Sequence, residues 1–280
     1  MKLPMDNIAA KGPLIKPGWL RVLLFCAVYL LSALIIAIGA GIGTGWIKKV
    51  LISLVLSSIL VFMFRKFIDR KNFSSLGLTT TGYTSDALCG LFLAPGLLGA
   101  GALILFITRH LEWTDIHFNG SELFIELGVL MMVAFTEELV FRGYILNNLM
   151  ESFNKWVALF ISAALFTLSH LDNPGINIIS VANILFAGIL LGLNYMYTKN
   201  LWFAIFFHLG WNFFQGPVLG FGVSGLNLSS LLQTELKGDL SITGGVFGFE
   251  GSVLDGALTV IAIVVLWLVY EKKYRTMIRA

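Results

Sequence analysis

Eight apolar runs, each close to the length that crosses the hydrocarbon core of a bilayer, divide this chain. A core of about 30 Å takes roughly 17–25 apolar residues in a helix. Runs of that order extend from Trp19 to Ile42, Val50 to Phe64, Ala87 to Thr108, Leu123 to Leu149, Trp156 to Leu171, Ile176 to Tyr197, Leu201 to Gly216 and Leu254 to Tyr270. The second, fifth and seventh are the shortest, and Pro95-Gly96 is expected to interrupt the third. A chain that is 57% hydrophobic and 12% charged, with a mean hydropathy of +0.86, lies far from the soluble balance of roughly 45–50% apolar and 25% charged residues. The expected fold class is all-α: a polytopic helical membrane protein, about eight transmembrane helices around an intramembrane polar cavity. Residues 1–280 read as one integral membrane domain.

Basic residues set the expected orientation, because lysine and arginine collect in cytoplasmic loops. With eight spans and the N-terminus inside, only Lys48, Lys49, Arg109 and Lys237 of the 19 basic residues fall outside. Both termini are therefore expected in the cytoplasm, and the net charge of +3 reflects topology rather than nucleic-acid binding. The basic stretch before the first run, and that run's length, fit a retained anchor rather than a signal peptide. Cys26 and Cys89 fall inside apolar runs, where a free thiol behaves as a small hydrophobe, so no disulfide or thiolate metal site is expected. The polar stretch Gly216 to Val253 reads as an outer loop that partly re-enters the membrane or lies on its surface.

Polar groups inside the runs carry the functional signal. Glu137 and Glu138 lie side by side within Leu123 to Leu149, and Arg142 follows Glu138 by four residues. Phe166 and His170 repeat that spacing, as do His208 and Asn212. Residues four apart share one helix face. At about 1.5 Å rise per residue, Glu137, His170, His208 and Asn212 lie roughly 15, 21, 12 and 18 Å above the inner ends of their runs. Four polar side chains from three helices thus fall in one layer. Ionisable groups at such depth are costly and mark function. A Glu138–Arg142 pair also serves as a self-neutralising lock, a histidine at a helix end is often interfacial, and Phe166 suits a cavity wall. His110 and His117 read as solvated residues of an outer loop.

In this order, Glu-Glu-x-x-x-Arg, Phe-x-x-x-His and His-x-x-x-Asn on successive apolar segments resemble the CAAX-protease and bacteriocin-processing family. These are the type II CAAX prenyl endopeptidases and their bacterial relatives, also called the Abi family. The resemblance covers a core from about Leu123 to Phe214 and implies an intramembrane endopeptidase in which every motif position is filled. It implies that Glu137 acts with His170 to activate water and that His208 and Asn212 stabilise the oxyanion. Arg142 would orient the glutamates, and Glu138 would support the base. Chemistry agrees: a carboxyl group in a low-dielectric cavity has its charged form destabilised, the direction a general base needs. Donors fixed in a dry site also stabilise an oxyanion strongly.

Members of the family have also been described as metalloproteases. Glu137, His170 and His208 would make a catalytic zinc set with an open position for water, but His-Glu-x-x-His is absent. The expectation is either no cofactor or a single divalent metal such as zinc, with the metal-free route favoured. Other intramembrane designs fit less well. Gly222-Val223-Ser224-Gly225 matches a rhomboid serine motif, yet no histidine follows it, so it reads as a glycine-permitted loop; no aspartate pair lies mid-run. Gly188-x-x-x-Gly192 suits close helix packing, within the bundle or between copies. The expected partners are the lipid bilayer and a hydrophobic or lipidated peptide or protein. The expected location is a bacterial plasma membrane, where a plain membrane-associated peptide is a better substrate than a prenylated one. The alternative is a non-catalytic membrane protein for bacteriocin immunity or partner scaffolding.

Overall fold

The computed structural model describes residues 12–39 and 45–279. Lys2 and Lys11, placed inside by the topology reading, and Ile42, the end of the first expected run, lie outside them. The chain is mostly helical. Its helices are α1 (Gly18–Gly39), α2 (Trp46–Met63), α3 (Thr84–Ile107), α4 (Gly120–Glu138), α5 (Asn147–Leu149), α6 (Lys155–Leu168), α7 (Ile178–Thr198), α8 (Trp202–Phe213), α9 (Leu240–Thr243) and α10 (Val253–Arg279). π-helical turns extend α2 over Phe64–Ile68, join α4 to α5 over Leu139–Leu146, and extend α8 over Phe214–Val218.

Each expected run contains a helix, but among the described residues only four helices are long and apolar enough to cross a membrane. They are Trp46–Ile68, Thr84–Ile107, Ile178–Thr198 and Val253–Tyr274. The second run, expected to be short, is among them: its helix starts at Trp46, before the expected Val50, and continues to Ile68. Helix α4 is weakened as a span by its glutamates, and α6 and α8 are 14 and 12 residues long. Pro95 does not interrupt α3, which is continuous for 24 residues. A neighbouring helix can compensate for the backbone bond that a proline removes, and here Gly210 of α8 lies beside the Leu91 carbonyl, an added Cβ sitting 3.2 Å from its oxygen.

A two-stranded sheet, not expected from the sequence, accompanies the helices. Strand β1 (Leu111–Ile116) pairs antiparallel with β2 (Leu232–Leu236), with a register shift between Trp113 and Asp115. The pairing joins the loop after α3 to the segment expected to form an outer loop. Its partners are more than 100 residues apart in sequence, so no local hairpin signal exists. Lys237 hydrogen-bonds Glu112 beside the sheet, and that contact holds the Glu112 carboxyl below the usual range.

Packing around α8 places the site. Helix α3 lies along α8, α6 and α10 pack on α7, and α4 packs on α8 and α2. Gly90 of α3 faces the Phe203 carbonyl so closely that a Cβ would lie 2.3 Å from its oxygen. Gly188 and Gly192 of α7 meet Ala163 and Leu159 of α6, so this small-residue pair serves packing inside the bundle. At the end nearer Asn148, Asp69 accepts from Arg21 at 3.2 Å, Arg65 at 2.9 Å, Tyr144 at 3.2 Å and Asn148 at 3.2 Å. This buried cluster ties α1, α2 and the α4–α5 segment together. Cys26 and Cys89 are both free.

Candidate active site

The ends of two helices and the length of a third converge on a cavity of about 260 Å³. Glu137 sits in the last turn of α4, immediately before the π-helical stretch. His170 follows the end of α6, which Asn154 caps by accepting from the amides of Trp156 and Val157. His208 and Asn212 lie on α8, whose start is fixed by Asn200: its side chain accepts from Trp202 N at 3.0 Å and donates to the Thr79 carbonyl at 2.7 Å. All four residues line the cavity.

Their hydrogen bonds determine what faces the centre. The Nδ1 atom of His170 is 2.8 Å from the Phe166 carbonyl oxygen. A carbonyl can only accept, so Nδ1 carries the proton and Nε2 faces away with its lone pair. His208 Nδ1 lies 3.0 Å from Glu138 Oε1, and the same logic orients its Nε2. Glu137 Oε2 is 3.9 Å from both Nε2 atoms, yet it is buried and has no hydrogen-bond partner. A carboxylate and two imidazole lone pairs therefore point at one another. Three acceptors at that spacing call for a shared donor or cation among them.

Glu138 and Arg142 form the buried support of this centre. Their side chains are 0% and 1% exposed, and Arg142 Nη1 donates to Glu138 Oε1 at 2.8 Å. Nη2 donates to the Gly188 carbonyl at 3.2 Å, and the guanidinium lies 4.4 Å from the centroid of the Phe166 ring. Arg142 thus joins α4 to α7 and packs on α6. Glu138 hydrogen-bonds Arg142 and His208 rather than Glu137. Asn212 is 6% exposed and its side-chain amide has no hydrogen-bond partner among the described residues, so its donors are open to the cavity. Phe166 is buried, with its ring edge-on to Phe141 at 5.1 Å.

Several lining residues lack a sequence signal. Tyr29 of α1 and Trp46 of α2 form one wall, with Leu130 and Val133 of α4, and Val223, Ser224, Leu226 and Leu228 form a roof. A second, narrower hollow between α7, α8 and α10 shares His170, His208, Asn212 and Ser224 with the first. The motif around Ser224 marks a loop, as its glycines suggest, but nothing local shows that the loop folds back over the histidines.

Glu137, His170 and His208 are donor types that suit zinc. A tetrahedral site with bonds near 2.0–2.1 Å places its ligand atoms about 3.4 Å apart, closer than the 3.9 Å seen here. Among the described residues, no group of three histidine, cysteine, aspartate or glutamate side chains is arranged to hold a metal ion.

A mostly helical protein with four membrane-length helices among its described residues fits an integral membrane protein. Residues 119–214, roughly a third of the chain, match the family model Rce1-like, described as type II CAAX prenyl endopeptidase Rce1-like. That match supports the resemblance carried by the three motifs, over the segment that contains them, and the family is one of proteases. No curated protein and no solved structure gave a significant match to the chain.

Proposed function

We propose that the chain is an intramembrane endopeptidase of the CAAX prenyl protease type. It would cross the membrane eight times with both termini inside, and hydrolyse a hydrophobic or lipidated peptide at the Glu137 cavity. The observation that carries this reading is the partnerless Glu137 Oε2, equidistant from the Nε2 atoms of two histidines whose Nδ1 positions are already engaged.

A water satisfies two of those three acceptors. Placed among them, it donates one hydrogen to Glu137 and the other to His170 Nε2, leaving a lone pair for the scissile carbonyl carbon. As the C–O bond forms, Glu137 takes the proton and the carbonyl π electrons move onto oxygen. The Asn212 amide donates to that oxyanion. His208 joins it when Nε2 also carries a proton, and Glu138 offsets the resulting imidazolium charge. Collapse of the tetrahedral intermediate breaks the C–N bond, and Glu137 returns its proton to the leaving amine. Preorganised donors of this kind are typically worth 10²–10³ in rate each. The wide spacing favours the metal-free route; Glu137, His170 and His208 are the residues that would hold a divalent metal such as zinc.

The walls support the substrate class. Tyr29, Trp46, Leu130 and Val133 give the cavity an apolar flank between α1, α2 and α4, suited to a chain presented from lipid. The test compares wild type with Glu137→Gln in nanodiscs, with cleavage of prenylated and plain hydrophobic peptides scored by mass spectrometry. Loss of cleavage in the variant is expected, and cleavage that survives it would remove Glu137 as the base.

A further inference from the structure

Glu250 lies outside every motif, on the 3-10 turn Phe249–Gly251 before α10, yet three neutral donors from two other segments converge on it. Its Oε1 accepts from the Trp211 indole at 3.0 Å. Its Oε2 accepts from the Ser224 amide at 3.0 Å and the Ser224 hydroxyl at 2.8 Å. The turn itself is pinned to α7, because Asn183 Nδ2 donates to the Glu250 carbonyl at 2.8 Å and to that of Ser252 at 2.7 Å.

Both partners touch the candidate site. Trp211 immediately precedes Asn212 on α8, and Ser224 lines both hollows beside His170 and His208. Ser224 holds φ +47°, a left-handed conformation unfavourable for a side-chain-bearing residue, which persists only where its surroundings impose it. Next to it, Gly225 donates to the Phe247 carbonyl at 3.1 Å. A Cβ at Gly225 would lie 2.0 Å from the Pro174 carbonyl oxygen, so the roof rests on the turn that follows His170.

We propose that Glu250 is a positioning residue: acting through Trp211 and Ser224, it fixes the Asn212 amide and closes the Val223–Leu228 roof over the cavity. A carboxylate is suited to this task because both oxygens only accept. The isosteric glutamine turns an NH2 group towards either the indole or the Ser224 donors, setting donor against donor. The catalytic consequence rests on the peptidase reading, whereas the closure of the roof does not.

Two measurements test it. In protein with Cys26 and Cys89 replaced by alanine, Asn212→Cys is labelled with a charged thiol reagent, with and without Glu250→Gln. Labelling at least about tenfold faster with Glu250→Gln is expected, as a roof that opens exposes buried positions. Rates within about twofold overturn the proposal. Separately, Glu250→Gln is expected to lower kcat about tenfold in wild type with KM nearly unchanged, and to have no further effect in Asn212→Ala. An equal loss in both backgrounds, or none in wild type, overturns the Asn212 role. If Glu250→Gln does not fold, Trp211→Phe, which removes the indole bond, takes its place in the kinetic arm, and Ser224→Ala, which removes the hydroxyl bond, in the labelling arm. Wild-type protein that shows no Glu137-dependent cleavage would defeat the peptidase reading, and the labelling arm would still decide the closure of the roof.

Discussion

Glu138 holds His208, not its neighbour Glu137: Oε1 lies 3.0 Å from His208 Nδ1 and 2.8 Å from Arg142 Nη1. One oxygen thus orients the imidazole on α8 and neutralises the guanidinium. Glu138→Gln should lower kcat by about 100-fold, because His208 loses the carboxylate that fixes its ring. It should also cost roughly 3–5 kcal/mol, because Arg142 is left as an unpaired buried charge. The double variant Glu138→Gln/Arg142→Met separates these effects. Thermal unfolding should show stability largely recovered, as an apolar replacement of a buried pair is often neutral, while cleavage stays low. Recovery of both would reduce Glu138 to a structural lock.

Chelation addresses the metal question directly. Since Glu137, His170 and His208 stand wider apart than a zinc set requires, treatment with a strong zinc chelator is expected to leave cleavage within about twofold of untreated enzyme. Elemental analysis of the same samples accompanies the assay. Activity that disappears on chelation and returns with stoichiometric zinc would replace the water-only mechanism.

Close approach of α6 and α7 gives a stability prediction. A Cβ at Gly188 would lie 2.9 Å from Ala163 Cβ and 3.0 Å from its Cα, and the Gly188 carbonyl is an acceptor for Arg142. Gly188→Ala should therefore destabilise the protein by about 1–3 kcal/mol, the usual cost of overpacking. Ala163→Gly in the same chain, which removes the nearer of these two contacts, should recover part of it, measured by thermal unfolding in detergent. A loss that Ala163→Gly does not relieve would place the constraint elsewhere.

The parts of the molecule legible in the sequence are those with a local cause. Apolar runs locate the helices because a backbone in lipid must satisfy its own hydrogen bonds. Glu138 and Arg142 read as a pair because helical neighbours four apart share a face, and they do form an ion pair. The partner of His208 is not local, so the spacing could not show that Glu138 serves it. The β1–β2 pairing joins Leu111 to Leu236, and Glu250 meets Ser224 and Trp211 only because the chain between β2 and α10 folds back against α8. Pro95 suggested a break, but α3 stays continuous where it packs on α8.

Asp69 provides the sharpest test of the buried cluster joining α1, α2 and α5. It is 1% exposed and accepts from Arg21 and Arg65, which are 0% and 2% exposed. Arg21 also reaches Glu151 at 2.5 Å, and Arg65 donates from Nε to the Ser75 hydroxyl at 2.9 Å. Asp69→Asn keeps the shape and removes the charge, so Arg65 retains no anionic partner among the described residues. A loss of about 3–5 kcal/mol is expected, with a lower yield of folded protein, because a buried cation is left uncompensated. Adding Arg65→Gln removes that cation, and unfolding curves should then recover a large part of the loss. Asp69→Asn that unfolds at the wild-type temperature would show that the cluster contributes no net stability. Catalysis offers a second readout: Tyr144 and Asn148 also donate to Asp69, on the segment that continues from Glu137, so a shifted cluster should lower cleavage together with stability.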